Sequence, residues 1–151
     1  MGLSAVEYDE RFLEASWGWL NDPEARTLNQ NPAFTREEQR AWFDSLPHKS
    51  DYCIWGIELN GIPIGAMGLK HIEKENAECW AYIGEKSLWG QRIGSWILKE
   101  LFERARVKGL KRLYALIVEG NTRAIRLYQS HGFVRAGSGD NPLRMEKDLS
   151  L

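Results

Sequence analysis

A glycine-containing stretch, Trp89–Ser95, is the part of the sequence best suited to binding a phosphate group. An apolar run at Ala77–Ile83 precedes it, and an amphipathic run from about Ser95 to Lys108 follows it. A turn between a strand and a helix presents backbone N–H groups that the helix cannot pair, and the helix dipole adds positive potential there. Gly90 and Gly94 lack a Cβ atom, so a ligand can approach the backbone closely. We therefore expect a phosphate or pyrophosphate site at this turn.

A second stretch, Asn121–Phe133, makes the first one specific. It resembles the N-x-x-A-I-x-L-Y-x-x-x-G-F motif of the GNAT superfamily, the acetyl-CoA-dependent N-acetyltransferases, and matches it at every named position. Trp89–Gly94 in turn resembles the pyrophosphate motif of that superfamily, Q/R-x-x-G-x-G/A, and the spacing between the two motifs also fits. The chain is therefore identified by resemblance as a GNAT-type acetyltransferase.

The pyrophosphate motif departs from the family pattern at two positions. Trp89 replaces the usual Gln or Arg, and Arg92 stands where the first glycine is expected. If this position needs a positive φ, an arginine there costs about 1 kcal/mol or more. If the position needs only an N–H group, Arg92 adds a positive charge beside the phosphates. We favour the second interpretation.

The resemblance implies the fold and the cofactor site. The fold class is α/β, a GNAT fold with a central, mostly antiparallel sheet, flanking helices and two splayed parallel strands, here Ala77–Ile83 and Arg112–Val118. Splaying would leave backbone groups near Tyr82–Gly84 unpaired for the pantetheine arm of acetyl-CoA. Arg123 is a further candidate for contacting phosphates. The cofactor-binding residues that the resemblance implies are Tyr82, Ile83, Gly84, Gln91, Arg92, Ile93, Gly94, Ser95, Asn121 and Arg126.

Two residues are candidates for the catalytic chemistry of acetyl transfer to an amine. The amine must lose a proton, and the leaving thiolate must gain one. Aligned at the phosphate turn, Glu78 matches the glutamate base of the family's histone-acetylating branch, and Glu85 is the alternative base. Tyr128 matches the family's usual general acid. An exposed strand glutamate and a buried core tyrosine are the structural alternatives for these residues.

Local patterns predict the elements that position these residues. Helical spacing of apolar residues predicts a helix at 9–20, a possible short helix at 23–30, and a helix from Arg36 that begins with a Thr35-x-x-Glu38 capping box. Asn60-Gly61 predicts a hairpin turn between strands at 52–59 and 62–72. A helix at 122–131 and a terminal hairpin at 134–136 and 143–147 complete the chain, with a core stripe on the 95–108 helix at Ile97, Leu98, Leu101, Phe102 and Ala105.

Composition and charge exclude several other classes. The 151 residues are expected to form a single domain, residues 1–151, with ordinary apolar and charged fractions. Cys53 and Cys79 are expected to be reduced thiols, and the chain offers no metal-ligand pattern. Neither a membrane span nor a signal peptide is expected, so the protein is predicted to be cytoplasmic.

Residues 1–85 carry a net charge of −8 and residues 86–135 a net charge of +8, and the basic half contains both motifs. This charge attracts a polyanion such as CoA.

The acceptor is less well determined than the cofactor. The region Trp17–Leu46 resembles acetyltransferases of nucleotide-linked amino sugars and also those that acetylate the N-termini of ribosomal proteins. We favour a small-molecule amine, in particular an amino-sugar nucleotide, with Trp42 or Trp17 stacking on a base or sugar. A non-catalytic acyl-CoA-binding module and an RNA-directed protein are the rival classes, and nucleic acid is disfavoured because the basic half lacks interleaved aromatic residues. Homodimer formation stays open.

Overall fold

The computed structural model describes residues 2–22, 34–88, 92–137 and 142–150, and these form one mixed α/β architecture. The strands form one seven-stranded sheet in the order β1-β2-β3-β4-β5-β7-β6. The strands are β1 Leu3–Glu7, β2 Cys53–Leu59, β3 Ile62–Glu73, β4 Asn76–Ile83, β5 Arg112–Ile117, β6 Val134–Arg135 and β7 Leu143–Asp148. The helices are α1 Glu10–Asn21, α2 Arg36–Ser45, α3 Ile93–Val107 and α4 Thr122–Ser130, with short 3-10 helices at Leu46–His48 and Lys86–Leu88. The short helix predicted at 23–30 lies outside the described residues.

Sequence-encoded caps and turns form as predicted. Helix α1 begins at Asp9, whose side chain accepts a hydrogen bond from the backbone N–H of Arg11 at 3.0 Å. The predicted capping box of α2 is confirmed, since the Thr35 hydroxyl accepts from Glu38 N–H and the Glu38 carboxylate accepts from Thr35 N–H. At the β2–β3 turn, Asn60 and Gly61 have φ values of +52° and +83°, as a two-residue hairpin requires.

The sheet carries one helix pair on each face. The larger core packs the apolar stripe of α3 against the sheet and includes all five residues that the sequence predicted for it. The smaller core, around Phe12 and Leu13, lies under α1 and α2 on the opposite face. The two faces therefore form two separate environments, one bordered by α3 and α4 and the other by α1 and α2.

Strands β4 and β5 are parallel and separate after a short contact, as predicted. Their register joins Asn76 to Arg112, Ala77 to Leu113 and Glu78 to Tyr114, and no further pairing is present between these two strands. Beyond this point β5 pairs with β7, while β4 continues along β3. The sheet thus has a fork that opens beyond Glu78 and Tyr114.

Candidate active site

A cleft of about 600 Å³ opens at the fork on the face that α3 and α4 cover. We call it the α3–α4 cleft. It is lined by Trp19, Leu20, Ala81, Tyr82, Ile83, Gly84, Leu88, Arg92, Ile93, Gly94, Ser95, Ile97, Leu98, Asn121, Arg123, Ala124, Leu127, Tyr128, Ser130 and His131. The structure therefore brings most of the sequence-predicted cofactor residues to one cavity. Arg126 is exposed and does not line the cleft, and Gln91 lies outside the described residues.

The start of α3 has the geometry of an anion site. Ile93 begins the helix, so the backbone N–H groups of its first turn point toward the cleft end. A Cβ atom on Gly94 would lie 2.5 Å from Leu127 Cδ2, so any side chain at this position would displace Leu127 where α3 faces α4. The basic side chains that line the cleft, among the described residues, are those of Arg92, Arg123 and His131, and no acidic side chain lines it. This cleft fits a polyanionic ligand with an apolar arm.

Arg92 corrects one interpretation made from the sequence. Its φ is +64° and its ψ is 6°, which is the left-handed region, so the motif position does require the conformation that glycine adopts most readily. The preference for a position that needs only an N–H group was wrong. The arginine side chain is nevertheless exposed and borders the cleft, so the same residue combines backbone strain of about 1 kcal/mol with a positive charge.

The backbone at the end of β4 corrects a second expectation. The N–H of Gly84 donates to the carbonyl of Ile64 at 2.7 Å, so this group is paired with β3 and is not unpaired as predicted. Along an antiparallel ladder, the backbone N–H and C=O groups of successive residues point alternately toward and away from the partner strand. Those of Tyr82 therefore also point toward β3, and those of Ala81 and Ile83 point toward the fork. Ala81, which the sequence analysis did not select, therefore borders the fork by its backbone.

Tyr128 lies on α4 with its ring packed edge-on against Phe133 at 4.9 Å between centroids. It is 9% exposed and lines the α3–α4 cleft. Burial raises the pKa of its hydroxyl well above the ordinary value, and the charges of Cys79 and Glu78 act in the same direction. The phenol therefore stays protonated at neutral pH, the state that a proton donor needs.

Glu78 lies on β4 at the fork and is 7% exposed, so it is not the exposed strand glutamate of the structural alternative. Its carboxylate oxygens lie 3.8 Å from Lys70 Nζ and 3.8 Å from His71 Nε2. A register shift in β3 between Lys70 and Glu73, with His71 at φ +52°, accompanies this arrangement. Glu78 is not among the residues that line the α3–α4 cleft with Tyr128, although its charge contributes to the raised pKa of the Tyr128 phenol.

Glu85, the alternative base, is in a different setting. Its carboxylate is exposed and accepts a hydrogen bond from the indole N–H of Trp19 at 3.2 Å. The Trp19 ring in turn lies against Gly84, where a Cβ atom would approach it to 2.0 Å. Glu85 thus holds α1 against the end of β4, a positioning contact that does not require it to accept a proton.

A second cleft of about 680 Å³ lies on the opposite face of the sheet. We call it the α1–α2 cleft. Its lining combines six aromatic residues with polar and charged side chains from α2, the loop before β2, and β3: Tyr8, Ser16, Leu20, Phe34, Glu38, Gln39, Trp42, Lys49, Asp51, Tyr52, Ile54, Lys70, His71, Trp80 and Tyr82. Trp42 is among these lining residues, and its stacking on a ligand stays a prediction. Trp17 is absent from it within the described residues, because its ring packs against Phe34 and under the guanidinium of Arg36.

Three further features of the described residues concern thiols, metal ligands and membrane-spanning helices. Cys53 and Cys79 are both free thiols, and burial raises the pKa of the Cys79 thiol to about 12. No group of three or more His, Cys, Asp or Glu side chains in the described part of the chain is arranged to hold a metal ion. None of its helices is both long enough and apolar enough to span a membrane.

Replacement of Gly94 by valine is expected to abolish most of the acetyl-CoA affinity. The added methyl groups would meet Leu127 and force α3 away from α4, so that the first-turn N–H groups would no longer converge on the pyrophosphate. We expect Kd to rise by about 100-fold, from the loss of two or three charge-assisted hydrogen bonds. Isothermal titration checks this. Gly18→Ala is the matched control, since a Cβ atom there meets nothing within 4 Å. Native-like affinity in Gly94→Val would contradict this placement of the pyrophosphate.

Comparisons with known proteins agree with the fold. Residues 14–133 match the sequence model of the acetyltransferase (GNAT) family. An uncharacterized protein of Methanocaldococcus jannaschii, MJ1062, is 32% identical over 130 residues, which are 84% of this chain. The chain spans about a quarter of that relative, 27% of its length.

Solved structures show the same architecture. A domain from Methanocaldococcus jannaschii superimposes with a TM-score of 0.85 at 25% identity, covering 97% of each chain. The spermidine N-acetyltransferase of Vibrio cholerae, solved with CoA and spermine, superimposes with a TM-score of 0.89 at 16% identity, covering 99% of this chain and 96% of that one. Because the family match spans most of the sequence, the protein belongs to the acetyltransferase (GNAT) family.

Proposed function

We propose that the protein transfers the acetyl group of acetyl-CoA to the primary amine of a nucleotide-linked amino sugar, which binds in the α1–α2 cleft. The observation that carries this proposal is the meeting of the two clefts. Leu20 and Tyr82 line both of them, and the fork between β4 and β5 lies beside Tyr82. An amine bound on one face of the sheet can therefore reach a thioester bound on the other.

The chemistry of the α1–α2 cleft favours a ligand with flat rings and negative charge. Trp80 stacks on Tyr82 with an interplanar angle of 16°, and Tyr52 lies 6.3 Å from Trp80. Trp42 faces this group from α2. Such a wall suits a nucleobase or a sugar ring.

The charged groups of the α1–α2 cleft are compatible with a diphosphate. Lys49 and Lys70 provide two ammonium groups. The carboxylate of Glu38 is already engaged in the capping box of α2, which reduces its attraction for a cationic acceptor. Asp51 is a second carboxylate in this lining, so the aromatic wall carries the preference for an amino-sugar nucleotide over a small polycation.

The proposed mechanism is a direct attack of the amine on the acetyl group, for which acetyl-CoA supplies the thioester. Glu78 accepts the amine proton, directly or through a water molecule, and the Lys70 ammonium and the His71 imidazole flank the carboxylate. Tyr128 donates its phenolic proton to the departing sulfur, because burial keeps the phenol protonated. Glu78 and Tyr128 therefore take separate roles in the reaction, one as the proton acceptor and the other as the proton donor.

A panel of acceptors tests the proposal. UDP- and dTDP-linked amino sugars, the free amino sugars, N-terminal peptides and polyamines are compared by kcat/KM with acetyl-CoA in excess. We expect an amino-sugar nucleotide to exceed its free sugar by about 100-fold, equivalent to about 3 kcal/mol of binding to the nucleotide part. Trp42→Leu should raise KM for the nucleotide sugar and leave the free sugar unchanged, whereas Trp17→Leu, outside the cleft, should change neither. Preferential acetylation of peptides would overturn the assignment in favour of N-terminal acetylation.

A further inference from the structure

His131 links α4 to α3 at the end of the α3–α4 cleft where the first turn of α3 lies. Its Nε2 atom is 2.8 Å from Ser95 Oγ, and its Nδ1 atom is 3.0 Å from the carbonyl oxygen of Leu127. Both Ser95 and His131 line the cleft, and Ser95 is in the first turn of α3. His131 occupies an unspecified position of the second motif, so the sequence pattern assigns it no role.

The hydrogen bonds around His131 fix its tautomer. The Leu127 carbonyl can only accept, so Nδ1 carries the hydrogen and donates to it. In the neutral imidazole Nε2 is then an acceptor, and the hydrogen of the bond to Ser95 comes from the serine hydroxyl. Ser130 does not reverse this assignment, because its hydroxyl already donates to the same Leu127 carbonyl at 2.7 Å.

When His131 is neutral, the Ser95 hydroxyl is oriented so that it cannot donate a hydrogen bond to an anion in the cleft. The Ser95 hydroxyl points its hydrogen at His131 and offers only lone pairs to a ligand in the cleft. If Nε2 gains a proton, it becomes a donor, and the serine hydroxyl is released to donate as well. One proton therefore converts an acceptor pair into two donors and adds a positive charge beside the N-terminus of α3.

We propose that His131 binds the pyrophosphate of acetyl-CoA as an imidazolium, so that cofactor binding takes up one proton from solvent at His131 Nε2. The two fixed hydrogen bonds make His131 part of the cofactor site rather than a surface residue of α4. The proposal concerns the cofactor side of the reaction and is independent of which amine is acetylated.

The surrounding charges give this proton uptake its direction. Several cationic side chains lie near the pair in the sequence or line the cleft, and no carboxylate of the described residues lines it. They are Arg92 and Lys99 within one turn of Ser95, Arg135 within four residues of His131, Arg123 in the lining, and Lys147, whose Nζ atom lies 2.7 Å from the position that a Cβ of Gly132 would take. A bound pyrophosphate compensates them and favours the imidazolium.

Calorimetry with 3′-dephospho-CoA tests the proposal. This probe keeps the pyrophosphate and lacks the 3′-phosphate, a monoester that titrates near pH 6 and would take up protons itself. Titrations at pH 7.5 in PIPES and in Tris, which differ in ionisation enthalpy, give the number of protons taken up per ligand. We expect between about half a proton and one proton for the native protein, with affinity falling by up to about tenfold per pH unit above neutrality.

Variants and a direct spectroscopic readout separate His131 from other groups. In His131→Gln the proton uptake should vanish, whereas His71→Gln, in the α1–α2 cleft, and His48→Gln should keep it. In the native protein the imidazole NMR signals of His131 should take the imidazolium shift at pH 7.5 when 3′-dephospho-CoA is added, and those of His48 and His71 should not change. The NMR result decides the question even if a variant fails to fold. Binding without proton uptake, equal uptake in His131→Gln, or unchanged His131 signals would each overturn the proposal.

Discussion

Replacement of Tyr128 by phenylalanine is expected to lower kcat by about 100-fold or more, while acetyl-CoA affinity stays within about twofold of the native value. The phenol lines the α3–α4 cleft and is kept protonated by burial, so the hydroxyl is available as an acid and its ring is already packed against Phe133. Phenylalanine keeps that ring contact and removes only the hydroxyl group. The change should therefore fall on the chemical step.

Single-turnover acetylation, followed beside isothermal titration with acetyl-CoA, checks this result without interference from product release. Tyr114→Phe is the matched control. The ring of Tyr114, on β5, lies against the guanidinium of Arg144 at 3.8 Å from its centroid, so its role is in packing and its hydroxyl should be dispensable for kcat. If Tyr128→Phe turned over at the native single-turnover rate, the Tyr128 hydroxyl would be structural and the thiolate would leave without it.

The sequence predicted local structure well because the relevant signals are short and chemically specific. Thr35 and Glu38 cap α2 through two hydrogen bonds that involve only neighbouring residues. Asn60-Gly61 defines the β2–β3 turn because these residue types tolerate positive φ. The separation of β4 from β5, in contrast, was expected only by resemblance to a family, since strand register depends on residues far apart in the sequence.

The expectations that the structure corrected concern backbone features that depend on contacts between distant parts of the chain. Arg92 takes the left-handed conformation because the chain must turn from β4 into α3 there, and a motif position alone does not reveal which backbone angle it requires. The pairing of Gly84 with Ile64 depends on how far the β3–β4 ladder extends. The register shift of β3 near His71, which accompanies its position beside Glu78, also had no local sequence signal.

The candidate site shows the same division. Gly94, Asn121 and Tyr128 were found because they occupy named motif positions, and all three line the α3–α4 cleft. Trp19 and His131 were missed because they reach the cleft from α1 and from the end of α4, outside those positions. The hydrogen bond that Trp19 donates to Glu85 also explains the surroundings of the alternative base.

Glu78→Gln is expected to lower kcat/KM by about 100-fold or more at pH 7, and this loss should shrink to less than about tenfold near pH 10. Glutamine keeps the shape of the buried side chain and cannot accept the amine proton. As pH rises, a larger fraction of a primary amine is already neutral, so the reaction depends less on a base. The deficit of the variant should therefore be largest at low pH and decrease toward alkaline pH.

The full pH–rate profile of kcat/KM, measured for native protein, Glu78→Gln and Glu85→Gln, distinguishes the two carboxylates. Glu85→Gln should keep the native profile in shape, because the Glu85 carboxylate accepts a hydrogen bond from Trp19 and lies at the exposed end of β4. Unchanged acetyl-CoA affinity in Glu78→Gln would show that the fork and the cofactor site are intact. A loss of equal size at every pH would instead mean that Glu78 acts by placing Lys70 and His71, its two neighbours at 3.8 Å, and a native profile would remove Glu78 from the mechanism.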